Sequence, residues 1–344
     1  KLFQMQSNNL YILAIESSCD DTSAAVLFND KVLSNVVAGQ KIHEQYGGVV
    51  PELASRAHQQ NIVPVIDVAL QKAGITKNQL HAIAFTQGPG LMGSLLVGSS
   101  FAKSLALALN IPLIAVNHMH AHILAHFIDE EGYSKPEFPF LALTISGGHT
   151  QIVKVSGFFE LEIIGETSDD AVGEAFDKSA KIMGLPYPGG PLIDKYAQEG
   201  NPKKYTFTKP KAPGLNFSFS GLKTQILYFI QNNVTQNPNF ISENRNDICA
   251  SIQHTIIETL MDKIKLAVIE TGINRIAIGG GVSANSGIRS TLKNAETKYG
   301  WKTFIPKFEY TTDNAAMIGI VGYQKYLHNK FENTSVVSKA RIEF

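Results

Sequence analysis

Cysteine is nearly absent from this chain of 344 residues, which has only two. Two thiols are too few for a disulfide framework or a four-cysteine zinc site, and their scarcity favours a reducing compartment. Net charge is also absent, because 30 basic side chains balance 30 acidic ones. A global positive field that attracts nucleic acid is therefore excluded. Any nucleic-acid partner must bind a local patch or another subunit.

Long hydrophobic runs and the two commonest phosphate-binding motifs are missing as well. The richest apolar run, "SLALALNIPLIAV", is interrupted by Asn110 and Pro112 and is too short to cross a bilayer. The early run "LYILAI" has the length of a strand and lacks a signal-peptide pattern. We therefore predict a cytoplasmic protein with no membrane association. The sequence contains neither a P-loop nor a GxGxxG fingerprint.

A weak internal repeat indicates a duplicated α/β protein. "YILAIESSCDDTSAAVLF" (11–28) and "FLALTISGGHTQIVKVSG" (140–157) share an apolar strand, a small polar turn and a second strand. The polar segment 129–137 should separate the halves. The predicted divisions are a tag or disordered start at 1–9, an N-terminal subdomain at 10–130, a C-terminal subdomain at 138–330 with a helical insertion at about 170–270, and a tail at 331–344.

Two glycine turns follow apolar strands, in "ISGGHT" (145–150) and in "IGGGVSAN" (278–285). Glycine lets backbone N–H groups approach an anion closely, and a following helix N-terminus adds a favourable dipole. Each turn taken alone fits an ordinary tight turn better than an anion site. Two such turns in corresponding halves favour a nucleotide bound between two domains.

The segment "NHMHAHILAH" (117–126) concentrates four of the ten histidines. If Asn117 caps a helix, His118 and His122 share one face and His120 points nearly opposite. A pair at i and i+4 can offer two imidazoles to one metal, although a buried polar cluster is the alternative. We expect Asp313, in "TTDNAAM", to be the third ligand. A zinc peptidase would need HExxH, but Met follows the first histidine and no carboxylate lies between the pair.

Seven ordered motifs resemble the TsaD family in its bacterial type. They are "ESSCDDTS", "NHMHAH", "ISGGHTQ", "GEAFDKSAKIMGLPYPGGP", "FSFSGLKT", "GGGVSAN" and "TDNAAMIG", and they extend from about residue 10 to about residue 325. The resemblance implies an α/β fold of the actin-like, sugar-kinase and Hsp70-like ATPase class (ASKHA), with two duplicated domains around a nucleotide cleft. It also implies transfer of threonylcarbamoyl from threonylcarbamoyl-AMP to the exocyclic amine of adenosine 37 in tRNAs that read codons starting with A.

The resemblance further assigns residues and a cofactor. Its metal ligands correspond to His118, His122 and Asp313, holding one divalent or trivalent ion, with iron preferred over zinc. Its adenylate contacts correspond to Thr144, Ile145, Ser146, Gly147, Gly148, Asp177, Gly190, Asp194 and Asn285. Candidates for relaying the proton that the amine loses are Glu16, Asp20 and His149, and the sequence singles out no general base.

The implied partners are tRNA, an inactive paralogue of the TsaB type, a small ATPase of the TsaE type and an upstream synthase that supplies the adenylate. The paralogue should dock on the helices predicted at 52–73 and 91–109. Since the clearest basic stretch is short, we expect weak tRNA binding by the isolated chain. Its lysines are Lys203, Lys204, Lys209, Lys211 and Lys223. Alternative functions are a nucleotide-hydrolysing kinase or chaperone of the same fold, a metallopeptidase and a non-catalytic scaffold.

Overall fold

The computed structural model describes residues 9–342, so most of the predicted N-terminal tag (1–9) and the last two residues of the predicted tail lie outside the described residues. The strands are β1 (Tyr11–Glu16), β2 (Thr22–Phe28), β3 (Lys31–Ala38), β4 (Ala82–Gly88), β5 (Leu113–Asn117), β6 (Phe140–Ile145), β7 (Thr150–Gly157), β8 (Glu160–Glu166), β9 (Arg275–Gly279) and β10 (Lys302–Phe304). The helices are α1 (Pro51–Ala73), α2 (Met92–Leu109), α3 (His118–Leu124), α4 (Val172–Ile182), α5 (Gly189–Ala197), α6 (Ser220–Gln236), α7 (Phe240–Thr271), α8 (Ser286–Tyr299) and α9 (Ala315–Leu327).

One compact unit comprises residues 9–41, 49–133 and 313–342. Its five-stranded sheet has the order β3-β2-β1-β4-β5, with β1 antiparallel to β2 and parallel to β4. The central strand β1 is buried from Ile12 to Glu16, because helices pack on the sheet and leave little of it exposed to solvent. Helix α1 packs against β2 and β3, and α9 packs against β1, β2, β4 and β5.

The second unit comprises residues 42–48 and 134–312, and its sheet repeats the plan of the first. The order is β10-β9-β6-β7-β8, with β6 antiparallel to β7 and parallel to β9. Two antiparallel strands on one side of the first strand and two parallel strands on the other side thus occur in both units. This confirms the α/β duplication predicted from the repeat. Helices α4 to α7 lie between β8 and β9, where the helical insertion was expected.

The division of the chain differs from the expected one at its C-terminal end. The first crossover falls between residues 133 and 134, inside the polar segment predicted to divide the halves. Helix α9, however, was expected in the second subdomain and belongs to the first unit. Its residues from Ala315 to Gly322 are all buried, and a Cβ atom on Gly319 would come within 2.2 Å of the Leu27 side chain. Small residues therefore let α9 pack closely on β2.

Three local expectations from the sequence change in the structure: a kink or break of the first helix at Pro64, a loop over 184–191 and a long helix that starts at 246. Helix α1 continues through Pro64. Proline has no N–H group to pair with the carbonyl of the preceding turn, but Pro64 lies on the exposed side of the helix, where water can bind that carbonyl. Helix α5 begins at Gly189, inside a segment predicted as loop. Helix α7 begins at Phe240, six residues before the predicted start at 246. Glycine and proline mark segment ends, but they do not exclude the first turn of a helix.

Within residues 9–342, one helix is long and apolar enough to cross a membrane by length and composition, namely α2. Five of its small residues are buried against neighbouring structure, namely Ser94, Gly98, Ser99, Ala102 and Ala106. A Cβ atom on Gly98 would come within 2.2 Å of Ser17 Oγ, and α2 packs against α1 and β4. Core helices of water-soluble proteins have the same composition, so α2 is weak evidence for a membrane segment.

Candidate metal centre and glycine-lined cavity

The turn from β5 into α3 positions the two histidines of the predicted pair. Strand β5 ends at Asn117, whose side-chain oxygen accepts hydrogen bonds from the backbone N–H groups of Met119 (2.8 Å) and His120 (3.3 Å). This is N-cap geometry, as the sequence predicted. His118 and His122 then lie one helical turn apart on the same face, and both are buried.

Three side-chain atoms of the first unit converge on one point. His118 Nε2 and His122 Nε2 are 3.1 Å apart, and Asp313 Oδ1 is 3.4 Å from the first and 3.2 Å from the second. Asp313 lies two residues before α9, which packs against α3. In the part of the chain that the structure describes, no other three His, Cys, Asp or Glu residues form a group that can hold a metal ion.

The spacing and chemistry of this group fit a transition-metal ion. Ligands about 2.0–2.2 Å from a common ion lie about 2.8–3.6 Å apart when they share a face of an octahedron or tetrahedron. All three observed separations fall within that range. The Asp313 side chain is 29% exposed, whereas the histidine side chains are 10% and 1% exposed, so the group is open on one side. Two histidines and one carboxylate with open positions are typical of non-haem iron and catalytic zinc sites.

Glu16 fixes the orientation of the first histidine from behind. Its Oε2 atom is 3.0 Å from His118 Nδ1 and accepts a hydrogen bond from the Thr86 hydroxyl at 2.6 Å. Its Oε1 atom accepts the backbone N–H of Ser18 at 2.5 Å. A carboxylate that holds the outer nitrogen of a ligating histidine sets the tautomer, so Nε2 is left to bind the metal. Glu16 is fully buried, and its position suits orientation of His118 rather than proton transfer to a substrate.

The electrostatics prepare two of the three ligands for a cation. Burial opposes ionisation of Asp313, but His118 and His122 lower the pKa of this carboxyl well below its ordinary value. Burial lowers the pKa of His122, which keeps that imidazole neutral. Burial also opposes the charge on His118, yet the Glu16 and Asp313 carboxylates raise its pKa well above the usual value. Metal binding must therefore displace a proton from His118.

The acidic turn after β1 holds Asp20, a predicted relay residue, and Asp21, which the sequence analysis did not single out. Burial and the neighbouring Asp20 and Asp313 carboxylates raise the pKa of Asp21 to about 7. His120, which helical periodicity placed nearly opposite the pair, is half-buried. Burial and the nearby Lys325 lower the pKa of His120 to about 4. His120 is not part of the ligand cluster, and its imidazole stays neutral at physiological pH.

In the second unit, a cavity of about 310 Å³ gathers five of the nine predicted adenylate-binding residues. These five are Gly147, Asp177, Gly190, Asp194 and Asn285. Their positions in sequence span nearly 140 residues, so the fold, rather than chain proximity, brings them together. Small-molecule pockets occupy roughly 300–1,000 Å³, so this cavity suits a small ligand such as a mononucleotide.

The polar residues of the cavity also brace its walls. Asp177 Oδ1 accepts the backbone N–H groups of Gly189 (2.8 Å) and Gly190 (2.9 Å), which caps α5. Asp194 accepts both the N–H and the hydroxyl of Ser286, at 2.9 and 2.8 Å. These bonds leave lone pairs on each carboxylate for a ligand, since an ionised carboxylate has about four acceptor sites.

Asn285 links the glycine turn after β9 to two helices. Its Oδ1 atom accepts the backbone N–H of Ile288 at 3.0 Å and caps α8, and its Nδ2 donates to Gln253 Oε1 of α7 at 2.7 Å. Both polar atoms of the Asn285 amide therefore already have a hydrogen-bond partner within the protein. The same side chain also lines the cavity.

The other four predicted contacts lie elsewhere than in the cavity lining. Thr144 and Ile145 are buried in β6, where Ile145 belongs to the hydrophobic core of the second unit. Ser146 holds the turn that follows: its hydroxyl accepts the N–H groups of Gly148 (3.4 Å) and His149 (3.1 Å). The turn presents Gly147 to the cavity, and the flanking residues shape it.

Sequence reasoning missed two aromatic residues in the cavity. Phe176 precedes Asp177 in α4 and is almost fully buried, whereas Phe308 follows β10 and is 66% exposed. Phe176 had a signal in the sequence, because it lies beside a predicted contact in "EAFDK". Phe308 had none, since it lies in a short segment whose neighbours are known only from the fold.

The basic loop predicted to meet tRNA is partly neutralised by α7. Lys204 Nζ is 2.7 Å from Asp247 Oδ2, and Lys209 forms an ion pair with Asp262. Two of the five lysines thus have carboxylate partners within the same unit. This reduces the positive charge available to a phosphate backbone and supports the expectation of weak tRNA binding by the isolated chain.

Two solved structures share this fold. Full-length HypF in its phosphate- and nucleotide-bound form is 13% identical, with a TM-score of 0.63 over 95% of this chain and 48% of that one. Component A of the Acidaminococcus fermentans (R)-2-hydroxyglutaryl-CoA dehydratase is 15% identical, with a TM-score of 0.52 over 92% of this chain and 99% of that one. The fold is the α/β fold of the actin-like, sugar-kinase and Hsp70-like ATPases, as predicted.

Sequence relatives identify the family within that class. The family model for TsaD, described as tRNA N6-adenosine threonylcarbamoyltransferase, matches residues 31–320. A protein of that name from Christiangramia forsetii is 71% identical over 99% of this chain and 100% of its own length. Another from Riemerella anatipestifer is 60% identical over 96% of this chain and 97% of its own length. The chain belongs to the TsaD family of transferases.

Proposed function

We propose that this chain transfers the threonylcarbamoyl group from threonylcarbamoyl-AMP to the exocyclic amine of adenosine 37 in tRNAs that read codons starting with A. The family model and the relatives reported above are named for transfer of threonylcarbamoyl to adenosine in tRNA. The observation that carries the proposal is that His118, His122 and Asp313 converge on one point in a chain of the TsaD family. A nucleotide-sized cavity in the second unit supports an adenylate as the donor.

The proposed reaction makes one bond and breaks one. The amine nitrogen bonds to the carbamoyl carbonyl carbon, the bond from that carbon to the phosphate oxygen breaks, and AMP leaves. A metal ion on the histidine–aspartate group would supply Lewis-acid stabilisation of the developing negative charge. Asp20, Asp21 and His149 are candidates to accept the proton that the amine loses.

Two other functions fit fewer of these features. A nucleotide-hydrolysing kinase or chaperone of the same fold would use the cavity but has no use for the ligand cluster. A metallopeptidase would use the cluster but lacks a general base, because Met119 stands where the glutamate is needed. The nearest carboxylate behind the pair, Glu16, is fully buried and already accepts hydrogen bonds. A non-catalytic scaffold would have no need for a complete set of metal ligands.

For the metal we propose iron in preference to zinc, and for the location the cytoplasm. Two histidines and a carboxylate with open positions are the usual ligands of non-haem iron, which supports the first choice. The proposed partners are tRNA, an inactive paralogue of the TsaB type, a small ATPase of the TsaE type and the synthase that makes the adenylate. Exposed apolar side chains on α1 and α2, such as Val63, Leu96 and Leu107, support a protein docking surface there.

A nucleotide prediction follows from the glycines around the cavity. Gly281 lines it and has open space around a would-be Cβ atom, whereas a Cβ atom on Gly280 would lie 2.5 Å from the Ile145 carbonyl oxygen. Gly280 also has a φ of +87°, which strains other residues by about 1–3 kcal/mol. We therefore expect Gly281→Val to lose nucleotide-dependent stabilisation while the ligand-free protein melts as wild type does.

Thermal melts with and without AMP test this expectation. At a concentration 100-fold above Kd, a ligand stabilises the native state by about 2.7 kcal/mol, which the wild type should show. Gly280→Val should lower the melting temperature even without AMP, so it is the unsuitable choice at this turn. Gly221→Val is the matched control, since Gly221 also has open space around a Cβ atom and lies outside the cavity lining. Full AMP stabilisation of Gly281→Val would contradict the assignment of the cavity.

A second prediction concerns tRNA and partners. Lys203, Lys211 and Lys223 are exposed and have no ion pair with another described residue. Three phosphate contacts would weaken tRNA binding by roughly 20- to 40-fold when salt rises from about 50 to 200 mM. We expect weak, salt-sensitive tRNA binding by the chain alone and little turnover without its partners.

Reconstitution with purified tRNA and synthase-made threonylcarbamoyl-AMP tests the proposed function. The modified nucleoside should form when the TsaB-type and TsaE-type proteins are present, and mass spectrometry should detect it. Many turnovers by the isolated chain at physiological salt would refute the need for partners. Absence of product in the complete mixture, with the protein folded and metal-loaded, would refute the transferase itself.

A further inference from the structure

One large apolar side chain at the cavity has no structural explanation within its own unit. Phe308 lines the cavity, yet its side chain is 66% exposed. An exposed phenylalanine forgoes most of the stabilisation that burial of its ring would give. The neighbouring aromatic residue Tyr310 is only 4% exposed, so the same turn does bury an aromatic ring two residues later.

The backbone that carries Phe308 is well defined. The Phe308 carbonyl oxygen accepts the N–H of Thr311 at 3.2 Å and its hydroxyl at 2.7 Å. On either side of Phe308, Lys307 and Glu309 form an ion pair at 2.8 Å. The ring is thus exposed on an ordered turn of the chain rather than at the end of a loose segment.

The surroundings of Phe308 match one type of ligand. The same cavity lining includes the apolar residues Val282 and Ala284 and the carboxylates of Asp177 and Asp194. A ligand that fills such a cavity needs a flat apolar face and hydroxyl groups that can donate to carboxylates. A nucleoside has both, because its base offers a π-face and its ribose offers two hydroxyls.

We propose that Phe308 stacks on the purine ring of the adenylate and covers the cavity, which makes it a determinant of base recognition. This inference rests on the proposed function for the identity of the ligand. It adds a residue that neither the sequence motifs nor the glycine turns contain. Stacking of an aromatic side chain on a base needs no hydrogen-bond partner, so an exposed phenylalanine at this position is sufficient.

The test compares AMP with ribose 5-phosphate, which lacks the base, as calorimetric ligands of the metal-loaded chain. Phe308→Ala should weaken AMP binding by roughly 5- to 100-fold, the range for loss of one base–aromatic stack. It should leave ribose 5-phosphate binding unchanged. Phe308→Leu should be intermediate, since it keeps apolar cover without a π-face. Tyr228→Ala, which removes an exposed aromatic side chain outside the cavity, is the matched control.

A gain-of-signal variant keeps the test independent of lost binding. The chain has one tryptophan, Trp301, which is 7% exposed. Phe308→Trp should retain AMP binding and add an exposed fluorophore whose emission AMP quenches and ribose 5-phosphate does not. No quenching despite AMP binding would overturn the stacking.

The remaining outcomes separate this inference from the proposed function. If wild type binds AMP and Phe308→Ala binds it equally well, the role of Phe308 is overturned and the adenylate cavity stands. If Phe308→Ala weakens the binding of ribose 5-phosphate as much as the binding of AMP, then Phe308 shapes the cavity and does not contact the base. That result also overturns the proposal. If wild-type protein binds ribose 5-phosphate no worse than AMP, base recognition is absent and both this proposal and the adenylate assignment fall.

Discussion

Alanine in place of His118, His122 or Asp313 is expected to strip the bound metal and to reduce tRNA modification to background. Each residue contributes one of three atoms that lie 3.1–3.4 Å from each other. Loss of an outer-shell partner alone typically costs about 10- to 100-fold in metal affinity, and loss of a direct ligand should exceed that. Elemental analysis of the purified variants, together with nucleoside analysis in the reconstituted reaction, measures both effects.

His120→Ala is the matched control for these variants. It removes an imidazole from the same helix, and the Asn117 cap that starts α3 stays intact because it binds backbone groups. Metal content and activity should both be retained. Loss of metal in His120→Ala with retention in His118→Ala would show that the wrong face of α3 had been assigned to the metal.

Glu16→Gln is expected to lower metal affinity by about 10- to 100-fold, the usual effect of removing a carboxylate behind a ligating histidine. The glutamine amide can no longer accept from all of Ser18, Thr86 and His118, because one of its two polar atoms is a donor. His118 then loses the partner that fixes its tautomer. Competition against a chelator of known affinity measures the loss.

Rescue by metal separates a positioning role from a chemical one. Because Glu16 acts through His118, excess metal should restore most of the activity of Glu16→Gln and none of the activity of His118→Ala. Thr86→Val, which removes one donor to Glu16 but keeps the carboxylate, should show a smaller loss of affinity. Activity of Glu16→Gln that stays absent at saturating metal would assign Glu16 to the chemistry and contradict this account.

The sequence predicted the features that local chemistry determines. The repeat of strand, polar turn and strand was visible in apolar spacing, and both sheets form around it. The start of α3 was predicted because asparagine caps helices, and the pairing of His118 with His122 follows from helical periodicity alone. These are short-range properties that a chain carries whatever its tertiary structure.

Features that depend on distant parts of the chain were only partly accessible. Asp313 was expected as a ligand, but the attachment of α9 to the first unit was not, because its apolar face fits either sheet by sequence. Glu16 was noted as a proton relay, although its contacts with Thr86 and His118, 70 and 102 residues away, show an orienting position. Glycine is required at position 280 by its positive φ and by the close carbonyl oxygen of Ile145 on another strand.

The central claim is that this chain installs threonylcarbamoyl on tRNA with the help of its histidine–aspartate metal group. The most direct measurement is mass spectrometry of tRNA nucleosides from cells depleted of their own TsaD and supplied with this gene. Wild-type protein and His120→Ala should restore threonylcarbamoyladenosine, and His122→Ala should not, although all three accumulate to the same level. Absence of the modified nucleoside with folded wild-type protein, or its full restoration by His122→Ala, would contradict the account.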